Sequence, residues 1–122
     1  MPRINVRLDD VQGSFVLLPE ANYLVELQES SKVISKAGKA PYIRWIAKIL
    51  EGDYEGKAIM WQTSLGEEAL WNLKSMLEVI GLAWEEDGFD LEDTFGKTLI
   101  VEVYTDEYEG QPRNKVRNYF KV

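Results

Sequence analysis

The sequence predicts a mainly β fold of five strands, with one α-helix between the third and the fourth. Three observations carry that prediction. Apolar residues alternate with polar ones in successive short runs, Gly-containing turns separate the runs, and only one stretch repeats its apolar residues at helical spacing. The 122 residues, 45% of them hydrophobic, suffice for one packed core and are too few for two, so residues 1–122 are read as a single domain.

At the start of the chain Ile4, Val6 and Leu8 alternate with Asn5 and Arg7, and a second apolar run over 15–18 follows the break at Asp9-Asp10 and Gly13-Ser14. Both pieces have the pattern of short strands. The first of the five strands lies after the Pro19-Glu20 turn, where Tyr23, Val25 and Leu27 alternate with Leu24, Glu26 and Gln28. A turn of small residues, Ser35-Lys36-Ala37-Gly38-Lys39, leads to a strand over 42–50, with Ile43, Trp45, Ala47 and Ile49 on one side and Tyr42, Arg44, Ile46 and Lys48 on the other. Glu51-Gly52-Asp53-Tyr54-Glu55-Gly56 reads as a hairpin connection into a third strand over 57–63. Ser64 followed by Glu67 has the spacing of a capping box. Leu70, Leu73, Leu77 and Ile80 then recur at helical spacing up to Gly81, which predicts a helix over 66–80. Beyond an acidic connection over 84–93, residues 97–105 and 113–122 supply the last two strands. Glu107-Tyr108-Glu109-Gly110 repeats the chemistry of Asp53-Tyr54-Glu55-Gly56, which suits a hairpin tip where Gly takes a positive φ, without making a domain-level repeat.

Three strands, a helix and two strands is the element order of the OB-fold, a five-stranded barrel that commonly holds oligonucleotides on strands two and three and the adjoining loops. SH3-like barrels and α+β rolls share these ingredients, so order alone does not license a function.

Charge narrows the choice. All 21 acidic residues avoid two windows, 30–50 and 110–122, which hold nine of the 14 basic residues. A net charge of −7 therefore conceals a basic site, and its sign points to an anionic partner. Tyr42, Trp45, Tyr119 and Phe120 lie in the same windows, and cations interleaved with aromatics suit a flexible nucleic-acid strand. The acidic total opposes that reading, but a Debye length of about 8 Å screens acids on the far side of a small domain. With no Cys and no His, disulfides, thiol nucleophiles and imidazole bases are excluded. No apolar run approaches the roughly 20 residues of a membrane span. The expectation is a soluble protein without membrane contact, enzymatic activity, cofactor or metal.

The segments Ser35-Lys36-Ala37-Gly38, Gly52-Asp53-Tyr54-Glu55-Gly56-Lys57, Ala69-Leu70-Trp71-Asn72-Leu73-Lys74, Glu107-Tyr108-Glu109-Gly110 and Arg113-Asn114-Lys115-Val116 resemble, in order, a family of small phage proteins similar to phage single-stranded-DNA-binding proteins. The match runs from about residue 4 to the C-terminus, on turns and a helix face and on no catalytic motif. The resemblance implies an OB-fold protein of phage replication or recombination, acting in the cytoplasm of the bacterial host. The chain departs from the family in carrying Trp61 where a small polar residue is usual.

Lys32, Lys36, Lys39, Arg44 and Lys48 are the candidates for tracking phosphates along the first window, and Arg113, Lys115 and Arg117 along the second. The plain alternative for each is a solvated charge. Tyr42 shares parity with Arg44 and Lys48 and is a candidate for base stacking. Tyr119, with Lys115, Arg117 and Lys121 at alternate positions, is another. Trp45 has the opposite parity and reads as core. Trp61 lies on a strand with both parities mixed, and the resemblance tips it outward. Trp71 lies off the main helical stripe, placed to pack on the barrel or on a second subunit. Six acids within 85–93 miss the EF-hand spacing, and with Phe89 and Leu91 they offer a surface for a replication or recombination partner. The partner expected for the basic windows is single-stranded DNA, with single-stranded RNA left open. A protein-interaction module binding a host or phage replication factor is the alternative function.

Overall fold

The computed structural model describes residues 17–34, 39–85 and 88–122. The strand-like runs predicted before residue 17, and Lys36 with its turn, lie outside the described residues. Val25 and Leu27 are buried on β1 (Ala21–Leu27), as the alternation predicts. A short β2 (Ser31–Val33) follows, a strand the sequence does not predict. The hydroxyl of Ser30 makes the corner between them, donating to the carbonyl of Gln28 at 3.2 Å and accepting the N–H of Ile46 at 3.2 Å.

β3 (Tyr42–Ile49) is the hub of the sheet. Its second half pairs with β1, its first half with β2, and nearly its whole length with β4 (Ala58–Ser64). β1 pairs in turn with β5 (Thr98–Tyr108), and β5 with β6 (Gln111–Phe120). The result is one antiparallel sheet of six strands that does not close. Where five strands were expected there are six, the additional one being β2, in the stretch read as the connection between the first and second strands. Among the described residues, β4 and β6 have no ladder partner on their outer sides.

The inward row of β3, Ile43, Trp45, Ala47 and Ile49, packs with Ile59 and Trp61 of β4 and Leu99, Val101 and Val103 of β5. The indole of Trp45 donates to the hydroxyl of Thr63 at 2.9 Å, so the two buried polar atoms satisfy each other. α1 (Leu70–Ile80) adds Leu73, Met76, Leu77 and Ile80 to this core and lies against β4, β5 and β6. The predicted capping box does not form. The Ser64 hydroxyl instead accepts the N–H of Gly66 at 3.0 Å, and a 3₁₀ turn over Glu67–Ala69 delays the α-helix. Its end is as the sequence predicts: Gly81 adopts φ 73°, and the Leu82 N–H reaches back to the carbonyl of Leu77 at 3.0 Å.

The β5–β6 hairpin turns through Glu109 and Gly110, at φ 52° and 80°, the paired positive values of a two-residue type I′ loop. Farther along, Val103 pairs with Val116 but Glu102 pairs with Asn118, so Arg117 is an extra residue in β6. That bulge reverses the parity of every residue after it.

Candidate nucleic-acid interface

The outward row of β3 gathers Tyr42, Arg44, Ile46 and Lys48 on one face of the sheet. Arg44 lies opposite Gln62 on β4 and opposite Ser31 on β2. Its Nη2 donates a long bond of 3.4 Å to the Tyr42 hydroxyl, and its Nε is a buried donor without a partner among the described residues. Lys48 is exposed between Ala58 and Glu26, and the Glu26 carboxylate is occupied by the Gln28 side-chain amide at 3.0 Å. Among the described residues no carboxylate forms an ion pair with Lys32, Lys39, Arg44 or Lys48. The described cations of this window therefore carry charge that no ion pair among the described residues neutralises.

The second window reaches the same neighbourhood from the other side of β4. Met60 and Gln62 face outward on β4, beside Ile46 and Arg44, and also line a groove of about 330 Å³ whose other wall is Arg113, Asn114, Lys115 and Val116 of β6. A further cleft of about 250 Å³ continues it past Ala58 and Pro112 to Leu17 and Leu18. Asn114 closes that end, accepting the Leu18 N–H at 2.7 Å and donating to the Leu18 carbonyl at 3.0 Å. Arg44, Gln62 and Lys115 thus follow one another across the β4 rim.

The charges of β6 are held differently from those of β3. Asp106 lies 3.9 Å from Arg113 and 3.7 Å from Lys115, and Glu102 takes the Arg117 Nε–H at 2.9 Å. The Arg113 and Arg117 guanidinium groups also lie 4.7 Å and 4.9 Å from the ring centres of Tyr108 and Tyr104. The Asn118 amide and Arg117 together hold the Glu102 carboxyl below its usual range. An exposed anion drawn to this strand must displace carboxylates that are already in place.

Two predicted stacking residues require correction. Trp61 is 6% exposed and faces the core, because it shares parity with Ile59 and Thr63 and pairs across the ladder with Trp45. Its indole N–H is buried near the Tyr119 hydroxyl and makes no hydrogen bond of full geometry among the described residues. Tyr119 is 9% exposed and pairs with the inward-facing Val101, because the bulge at Arg117 removes it from the row of Lys115. Its ring centre lies 6.5 Å from that of Trp61, so the two aromatics fill the space between β4 and β6 from within. Burial pushes the Tyr119 hydroxyl up to about 12, against the opposing pull of Asn72 and Trp61. Lys32 is exposed on β2 but pairs with Ile43, which places it in the inward row and not beside Arg44, and Lys39 is exposed just ahead of β3.

Met60, Gln62, Tyr104 and Tyr108 were missed. The mixed parities of β4 hide the first two, whose direction follows only from the ladder to β3, and the two tyrosines sit among acids and are tied to the cations only by the β5–β6 register. Trp71 does not pack on the barrel; it is 71% exposed. Among the described residues no helix is long and apolar enough to cross a membrane, and no group of three acids is placed to hold a metal ion. No protein-family model matches the chain, and comparison with curated proteins returns no match.

Proposed function

We propose that the chain is an OB-fold protein that coats single-stranded DNA during phage replication or recombination in the host cytoplasm. The observation that carries the reading is the face of β3, where Arg44 and Lys48 have no ion pair among the described residues and adjoin, through Gln62 and Met60, the groove walled by Arg113 and Lys115. Element order supports the fold assignment. Taking β1 and β2 as one bent strand, β3 and β4 become strands two and three, the pair that commonly carries oligonucleotides in this architecture. Lys39 then stands in the loop before strand two, and Glu109-Gly110 forms the tip between strands four and five. Phosphates supply affinity by releasing counterions, and Tyr42 offers a ring for any base, so binding is blind to sequence.

Anisotropy of labelled oligo-dT, titrated across a salt series with matched duplex and RNA arms, tests this. Arg44→Ala is expected to weaken binding and to flatten the dependence of log affinity on log salt by roughly 0.7, the share of one phosphate contact. Arg117→Ala is expected to change it less, because Glu102 already takes that charge. Affinity indifferent to salt, or untouched by Arg44→Ala, refutes the proposal.

A further inference from the structure

The outward side of α1 carries apolar surface that the described residues leave uncovered. Leu70, Trp71 and Trp84 are 41%, 71% and 42% exposed. With Leu77 and Phe89 they line a groove of about 470 Å³ between α1 and the segment that follows it. Lys74 crosses the groove, its ammonium 6.0 Å from the Trp84 ring centre. This groove runs into a second, of about 330 Å³, through the shared residues Glu85, Gly88 and Phe89, and the walls of the second add Asp90 and Asp93. An apolar trough therefore opens directly onto an acidic one.

That sequence of surfaces specifies its occupant. A nucleic acid is repelled by Glu85, Asp90 and Asp93. A second copy of this face brings the same acids, together with Glu67 and Glu68 on the turn entering α1 and Glu78 on the helix, against Lys74. A segment with apolar anchors followed by lysines or arginines satisfies both troughs at once. We propose that this face of α1 docks a cationic amphipathic segment of another protein, its apolar side chains seated against Trp71 and Trp84 and its cations on Glu85, Asp90 and Asp93. The site is separate from the β3–β4 face and does not depend on what that face binds.

The test uses the full chain and three labelled synthetic peptides of equal length: one alternating leucine and lysine anchors along a helical face, one with Glu for each Lys, and one with Ser for each Leu. Saturable binding of the first is expected, with the other two weaker by roughly tenfold or more, the scale of an interface anchor. Trp71→Ala, at an exposed position that spares the core, and the pair Glu85→Lys and Asp90→Lys should each lower affinity for the first peptide by a similar factor. The charge-matched pair Glu51→Lys and Asp53→Lys, on the exposed β3–β4 connection, should leave it within about twofold, since its acids lie outside both troughs. Equal loss in the two charge-reversed pairs makes the attraction one of net charge and overturns the proposal. So does unchanged binding in Trp71→Ala, or sedimentation showing a self-association that Trp71→Ala abolishes. Oligo-dT binding by Trp71→Ala should match the parent, so that failure here and failure of the DNA reading are told apart.

Discussion

Tyr119 carries its hydroxyl into the space between β4 and β6, and that placement makes stability depend on alkali. The folded chain holds this group near 12 while the unfolded chain releases its proton near the ordinary 10.0. The folded state therefore binds the extra proton between those values. The contribution is fully present below pH 10 and is lost as pH rises towards 12, by about 2 to 3 kcal/mol in all. Urea unfolding of the parent and of Tyr119→Phe at about pH 9 and about pH 12 isolates that term from other alkaline titrations. The parent should lose more stability than the variant over this range, and an equal loss would show that Tyr119 ionises freely in the fold. Trp61, which closes the same space, was unreadable from its strand: Ala58, Met60 and Ile59 leave neither parity clearly apolar, and only the ladder to Trp45 fixes its direction.

At the scale of elements, the hairpin of β5 and β6 pairs its cations with its own acids. Glu102→Gln removes the anion that holds Arg117 while keeping a side chain of the same shape. Binding of oligo-dT should then tighten, and its salt dependence should steepen by up to roughly 0.7, as one more cation becomes free for a phosphate. No change in either would place Arg117 off the path of the strand. Acid has little purchase on this pair. The Glu102 carboxyl is held low by Asn118 and Arg117, so the pairing is present above the ordinary glutamate range and is lost only as pH falls through the depressed value. Strands with one clean buried row, β1, β3 and β5, were legible because period-2 alternation is the direct trace of a half-buried sheet. The second half of β6 was not. A bulge is a fact of register between residues 15 to 16 positions apart, such as Glu102 with Arg117 and Asn118, and no local composition announces it. The helix was placed correctly and its start was not, since Ser64 ends a strand and uses its hydroxyl on the turn at Gly66.

At the scale of the molecule, segregated charge makes salt act in two directions. The chain bears a net −7, and its acids crowd the connections while Arg44 and Lys48 on β3 have no ion pair among the described residues. Added sodium chloride should raise the thermal midpoint by screening repulsion among the acids, while weakening the hold on an anionic strand. Scanning calorimetry and anisotropy on one salt series measure both, and a midpoint that falls with salt would mean that attractive pairs dominate the field of the fold. The basic windows were visible as runs without acids. That the second alone has ion pairs among the described residues was not, because Asp106 and Glu102 lie outside that window in sequence and beside it in space. The unclosed seam between β4 and β6 has a further consequence. β4 is a run of seven residues without a charge, Ala-Ile-Met-Trp-Gln-Thr-Ser, and an outer rim of that composition, without a ladder partner among the described residues, is the kind of template on which neighbouring chains stack into fibrils. The facing rim of β6 bears Pro112, Arg113, Lys115 and Arg117, residue types that discourage such growth on a strand edge.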